Sequence, residues 1–423
     1  MTWLLLLAVL LVLVAAHEGG HFLAAKLLGV AVEEFAVGFG PALVCRKRGE
    51  TRYCLRAFPI GGFVRLAGEE GGTSEVPFER TYYGRPAWVR FTVSLAGPVV
   101  NVVLAGLIAV GAILGFGLPR VRVAGVVPGA PAADLLQVGD VLLRVGDREI
   151  WLWDEVGPAI QAAAPGPVRF ELVREGVRLE LAISPEWRPE EDRYLVGAYF
   201  SPRVYLAEVE DLDLDSPLFS AGLRAGDEVV GACGETVSSL AELYGALEEG
   251  CRELTVRRGE GRLQVTLPDL PPDELLSGAE FTHLPEVVAR PPVSKAVALG
   301  AKQISQFFVS LAQVIRGLAS GAIPAGQAVS GPVGMAGLLS QGLQAGGLAT
   351  LLLIAFISLN LAAFNLLPFP ALDGARMAFA LFELVTRRKV SPAVETAIHT
   401  LGFIILLGLM LLITWRDILR LFG

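Results

Sequence analysis

Charge is scarce in this sequence, and so are the residues that staple small secreted folds. Only 18% of its 423 residues are Asp, Glu, Lys or Arg, while 53% are hydrophobic and the mean hydropathy is +0.55. Soluble domains carry about 25% charged residues, so this composition is unusual for a soluble globule. The four cysteines are too few for a disulfide framework. Cys45 and Cys54 fall in a segment expected to face the cytoplasm, where thiols stay reduced. Cys233 and Cys251 fall on the other side, where a bond and two buried thiols both remain open. At a net charge of −8 no nucleic-acid partner is expected.

What the chain has instead is long apolar runs, at 2–28, 91–118, 348–367 and 397–413. Each approaches the roughly 20 residues that cross a bilayer, so the lipid bilayer is the expected surrounding. The third run is broken at its end by Leu367-Pro368-Phe369-Pro370. The first lacks the basic n-region of a signal peptide and contains His17, Glu18 and His21, so it reads as an uncleaved span.

The little charge there is lies unevenly. Between residues 119 and 290 stand 16 Arg, no Lys and 31 acidic residues, a net −15. The rest of the chain holds 19 basic and 12 acidic residues, a net +7. Basic residues crowd the segment between spans one and two (Arg46 to Arg85) and the one between spans three and four (Arg387, Arg388, Lys389). Cytoplasmic loops collect Lys and Arg. With four spans both basic loops fall on one side and the acidic middle on the other, which puts both termini outside.

The acidic middle contains an internal repeat. Gln137-Val138-Gly139-Asp140-Val141-Leu142 is matched 87 residues later by Arg224-Ala225-Gly226-Asp227-Glu228-Val229. Each copy continues into β-branched strands, a helix and a strand pair, so two copies of one small domain are expected rather than a solenoid. The Gly-Asp pair suits a tight turn into a strand. The second copy, with Ser220-Ala221-Gly222-Leu223 ahead of it, resembles bacterial PDZ domains, which bind peptide C-termini by strand addition. In the first copy Asp134-Leu135-Leu136 replaces Ala-Gly-Leu, and Tyr194-Leu195-Val196-Gly197 is its candidate carboxylate-binding loop. Residues 294–318 follow as an amphipathic, surface or interfacial helix. The Gly-rich Ser330-Gly331-Pro332-Val333-Gly334 cannot continue it.

His17-Glu18-Gly19-Gly20-His21 is an H-E-x-x-H motif. On a helix the two imidazoles share one face and can reach one Zn²⁺, with Glu18 beside them to take a proton from water. Within an apolar span each ionisable residue costs about 2.5–3.5 kcal/mol, and three in five positions are hard to explain as packing. A catalytic zinc takes three protein ligands, and Asp373, just past the broken third run, is the candidate third. At 1.5 Å per residue His17 lies roughly 24 Å along the first span and Asp373 roughly 38 Å along the third, both in the cytoplasmic half. His399, near the start of span four, is the rival ligand and reads instead as a hydrogen-bonded or interfacial residue. His283 reads as surface.

Together these segments resemble the site-2 protease family, in its bacterial branch that cuts anti-sigma factors. The match rests on the histidine motif, on Asn365-Leu366-Leu367-Pro368-Phe369-Pro370-Ala371-Leu372-Asp373-Gly374 and on the PDZ-like insertion. Phe58-Pro59-Ile60-Gly61-Gly62-Phe63-Val64-Arg65-Leu66, Gly68-Glu69, Leu95-Ala96-Gly97-Pro98 with Asn101, and Ser330-Gly331-Pro332-Val333-Gly334 fit it too. The resemblance implies that His17, His21 and Asp373 ligate zinc, that Glu18 is general base and acid, and that Asn365 contacts the substrate backbone. It makes Gly61, Gly62, Phe63 and Val64 a membrane-dipping β-hairpin loop that pairs with substrate as a strand. Gly19 and Gly20 within the zinc motif depart from the family, loosening the helix by about 1 kcal/mol each but admitting a close neighbour.

The expected fold is a polytopic α-helical membrane protein with four transmembrane helices, two inserted extracytoplasmic α+β PDZ domains and a membrane-associated β-hairpin loop. Its expected parts are span one (1–29), a re-entrant β-loop region (30–90), span two (91–118) and PDZ domains at 119–200 and 201–290. A helix with a Gly-rich connector (291–345) and spans three (346–376) and four (394–416) complete it. The expected activity is zinc-dependent intramembrane cleavage of single-span proteins, anti-sigma factors or remnant signal peptides, with the PDZ pair gating access. The alternative is a peptide-binding envelope scaffold with a structural metal. Structural zinc sites usually close with four Cys or His ligands, which favours the protease. A metal transporter is disfavoured by the lack of an inverted repeat.

Overall fold

The structure, a computed structural model, describes residues 2–69, 76–321 and 331–422. It divides into two compact units, Met1–Phe116 with Arg290–Gly423, and Gly117–Ala289.

The first unit begins with helix α1 (Thr2–Leu27), rich in Leu and Ala. Its buried positions Leu6, Val9, Leu13, His17, Gly20 and His21 recur at helical spacing, so the polar motif sits on the packed face. The departure at Gly19 and Gly20 divides into two cases. A Cβ on Gly20 would lie 2.6 Å from the Ala96 carbonyl oxygen of the neighbouring helix, whereas one on Gly19 would meet nothing within 4 Å.

Strands β1 (Val32–Arg48) and β2 (Thr51–Leu66) form a curled hairpin. Glu34–Val37 pair with Arg52–Leu55 on one side and with Gly62–Arg65 on the other. The stretch from Gly62 to Leu66 is thus paired along one edge only among the described strands. Glu34 is buried and ion-paired with Arg52 and Arg56. Burial alone would raise its carboxyl, but hydrogen bonds from Arg56 and Arg52 outweigh that and hold it below the usual carboxylate range. The expectation of free thiols at Cys45 and Cys54 is not met. The two stand opposite each other across the hairpin, Cα atoms 4.2 Å apart, and are bonded. Helix α2 (Ala87–Phe116) follows, starting a turn before the expected second span.

The second unit holds the repeat. In its first module β3 (Arg122–Val126), β4 (Val141–Val145), helix α3 (Val156–Ala163), β5 (Val168–Arg174), β6 (Val177–Ile183) and β7 (Ala198–Ser201) form a sheet ordered β7-β3-β4-β5-β6. In its second β8 (Tyr205–Leu212), β9 (Glu228–Ala232), helix α4 (Leu240–Glu248), β10 (Glu253–Arg258), β11 (Gly261–Thr266) and β12 (Ala279–His283) repeat that order as β12-β8-β9-β10-β11. Each module's last strand therefore returns to pair with its first. Gly139 and Gly226 both adopt positive φ (+96° and +83°), as the Gly-Asp turns require. The aspartates do the same work twice: Asp140 accepts both Nε and Nη2 of Arg174, and Asp227 both Nε and Nη2 of Arg258. In the first module Gln161 on α3 donates to the Tyr194 carbonyl and accepts from its N–H. Cys233 and Cys251 are bonded, and His283 is exposed.

The first unit resumes with α5 (Val293–Ala319), the amphipathic helix, whose Gly300 sits against Val110 of α2. The Gly-rich segment does more than end a helix: Gly331 caps and Pro332 opens α6 (Pro332–Gln344), because proline suits a first helical position. Ser330 lies outside the described residues. Helix α7 (Gly347–Leu366) stops before the proline segment, α8 (Asp373–Thr386) starts at Asp373, and α9 (Pro392–Phe422) closes the chain. Among the described residues four helices are long and apolar enough to cross a membrane: Thr2–Leu27, Ala87–Phe116, Gly347–Leu366 and Pro392–Arg416.

Candidate metal centre

His17 and His21 lie one turn apart on α1, and Asp373 is the first residue of α8. The break at Leu367-Pro368-Phe369-Pro370 is what turns that carboxylate back toward α1. Gly374 makes the turn possible, since a Cβ there would come within 2.1 Å of the Leu367 carbonyl oxygen. His17 Nε2 stands 3.0 Å from Asp373 Oδ2, His21 Nε2 3.3 Å from the same oxygen, and the two Nε2 atoms 3.1 Å apart. No other group of three His, Cys, Asp or Glu donors among the described residues gathers within such reach.

The other ring nitrogens decide whether this set suits a metal. His21 Nδ1 donates to the Val93 carbonyl (2.8 Å), which leaves its Nε2 with a free lone pair. His17 Nδ1 lies 3.1 Å from the Asn101 side-chain amide, whose Oδ1 has no partner among the described residues. Turning that amide over lets Oδ1 accept from Nδ1–H, which satisfies the orphaned oxygen and frees His17 Nε2 as well. Two neutral imidazoles and a carboxylate make a donor set that fits zinc. Gly97 keeps the space open, as a Cβ there would lie 2.3 Å from His21 Nε2.

Glu18 faces a cavity of about 260 Å³ whose walls include His21, Asp373, Phe63, Val64, Glu69 and Arg376. Arg376, one turn past Asp373, pairs with Glu69. Tyr82 on the same wall has its phenol pushed up to about 12 by burial, so it stays a neutral hydrogen-bonding group.

Of the hairpin residues, Gly62 lies against Glu18: a Cβ on it would be 3.6 Å from Glu18 Cγ. Phe63 and Val64 line the cavity, while Gly61 supplies a positive-φ turn (+83°) beside Phe39. The amide of Asn365 donates to the Leu361 carbonyl one turn back on α7. His399 accepts the Ala371 N–H and is not among the three donors that cluster in the described residues. Gly97 and Asn101 were visible in the sequence as parts of a family pattern. A lone Asn in an apolar span was the available signal for its role, and nothing short of the packed helices gives the role of Gly97. Arg376 carried no signal beyond its spacing from Asp373.

Comparison with known proteins agrees with this geometry. The model of peptidase family M50 matches residues 5–409. The chain is 27% identical to the regulator of sigma-W protease RasP of Bacillus subtilis, covering 97% of this chain and 96% of that one. It is 28% identical to the zinc metalloprotease RasP of Shouchella clausii over the full length of both. Against the metalloprotease MmpA of Caulobacter vibrioides the identity is 28%, over 98% of this chain and 94% of the other. A match of this extent, with its donors gathered at one point, makes the chain a zinc metalloprotease that belongs to peptidase family M50, the site-2 proteases.

Proposed function

We propose that this enzyme cuts single-span membrane proteins, of the anti-sigma-factor type or remnant signal peptides, within or beside the bacterial cytoplasmic membrane. The observation that carries the proposal is one cavity bordered by Glu18, His21, Asp373 and the half-paired strand residues Phe63 and Val64. His17, His21 and Asp373 would hold zinc, which when bound would polarise the scissile carbonyl and acidify water. Glu18 takes the proton of the attacking water and returns it to the leaving amine.

A helical substrate hides its peptide bonds, so it must enter locally extended. The stretch from Gly62 to Val64, with a strand neighbour on one edge only among the described strands, offers its other edge to such a segment where lipid offers no partners. Asn365 is assigned a substrate-backbone contact, for which its Oδ1 and second N–H remain beside the bond to Leu361. The two modules of the second unit are assigned as extracytoplasmic PDZ domains that bind peptide C-termini and gate access, with the active site toward the cytoplasmic half. Their identical strand order and the charge asymmetry of the loops support that assignment.

The test is cleavage of a single-span model substrate, in detergent or liposomes, by wild type and Glu18→Gln, with zinc measured on both. Cleavage by wild type, loss of at least about a hundredfold in the variant and equal zinc in both are expected. If neither cuts any of several truncated substrates while zinc stays bound, the peptide-binding scaffold reading moves ahead and the two modules of the second unit become the functional centre.

A further inference from the structure

The turn that delivers Asp373 is held from the fourth apolar helix. Ala371, two residues before the carboxylate, has φ +80°, a left-handed conformation that a side chain disfavours. It lines the same cavity as Glu18 and His21. Its N–H donates to His399 Nδ1 at 3.0 Å, a bond made across 28 positions of chain. That ring nitrogen is therefore bare and the proton sits on Nε2. Nε2 is buried and has no partner among the described residues. A half-buried imidazole with its one buried nitrogen unsatisfied, near the start of a long apolar helix, calls for an explanation. The bond through the other nitrogen supplies it. Three residues along the same helix, Gly402 leaves room for Pro370: a Cβ there would lie 2.2 Å from Pro370 Cβ and 2.6 Å from its carbonyl oxygen. Helix α9 thus grips two successive residues of the ligand-bearing turn, one by hydrogen bond and one by close approach.

We infer that His399 is a positioning residue of the metal centre. Its Nδ1 fixes Ala371 in the left-handed conformation and so sets the direction from which Asp373 enters α8 and offers its carboxylate. The inference rests on the metal site proposed above and extends its support to a helix that supplies no ligand.

The experiment reads metal rather than turnover. Full-length wild type, His399→Leu, His399→Asn and His399→Gln are compared by zinc affinity in chelator competition and by the visible spectrum of the cobalt-loaded protein. Asn places an oxygen where Nδ1 stands, whereas Gln reaches toward Nε2. Leu is expected to weaken zinc binding about ten- to hundredfold and to alter the cobalt spectrum. Asn is expected to return affinity to within about threefold of wild type, and Gln is not. Ala371→Gly adopts positive φ without a steric penalty, so it should recover part of the loss in a His399→Leu background. Wild-type affinity with an unchanged cobalt spectrum in His399→Leu overturns the inference. Equal losses in the Leu and Asn variants without rescue by Ala371→Gly overturn it too, and leave His399 as packing. A wild type that holds neither zinc nor cobalt removes the metal site itself, and the inference with it.

Discussion

Gly97 stands where any side chain would collide with His21, a Cβ built on it lying 2.3 Å from Nε2 and 2.8 Å from His17 Cε1. Overpacking by a methyl group costs about 1–3 kcal/mol, equivalent to about 5- to 150-fold in an equilibrium constant. Gly97→Ala should therefore lower zinc affinity by that order. Gly19→Ala, with nothing to meet, should keep metal and gain helix stability. Zinc content after dialysis against a weak chelator distinguishes the two, and equal retention would contradict the crowding at Gly97.

Asn101 supports His17 from α2, and Ser358 Oγ on α7 in turn donates to its backbone carbonyl (2.9 Å). Removing the amide leaves the imidazole free to rotate and to change tautomer. Asn101→Leu should cost about ten- to hundredfold in metal affinity while leaving the apolar packing of α2 intact. Competition with a chromophoric chelator measures it. An unchanged affinity would mean that the helix backbone alone orients His17.

The hairpin should be acid-sensitive through Glu34. Its folded pKa lies below the ordinary value of 4.5, so its pairing with Arg56 and Arg52 stabilises the fold above that value. That contribution is lost as pH falls through the depressed folded value. Glu34→Gln should destabilise by about 2 kcal/mol at pH 7, less than a fully buried pair because Arg52 is half exposed. Melting curves of both proteins taken from neutral to acid pH should converge at the acid end. A gap that stays constant would place the effect in packing rather than charge.

The helical half of the fold was legible because a membrane imposes length and hydropathy that few residues can disguise. Thr2–Leu27 and Gly347–Leu366 fall within a residue of the runs seen in the sequence. The repeat was legible through Gly139-Asp140 and Gly226-Asp227, where conformation leaves glycine little choice. Their partners Arg174 and Arg258 were not, because an ion pair made more than thirty residues away has no local pattern. The candidate metal donors could be picked out as rare polar residues in apolar surroundings. What holds them could not, since Gly97 acts by lacking a side chain and Ala371 by a backbone angle. The bond between Cys45 and Cys54 escaped notice because the compartment argued against it while strand register brought the two together.

His17 and Asp373 belong to one site yet are 356 positions apart. At a synthesis rate of about 5–20 residues per second, roughly 20–70 seconds separate their emergence from the ribosome. Both histidines are inserted early and wait through the making of the whole second unit before the carboxylate arrives. On the proposed ligand set a nascent chain lacks its third donor until residue 373 has emerged, and a product terminated before that point never acquires it.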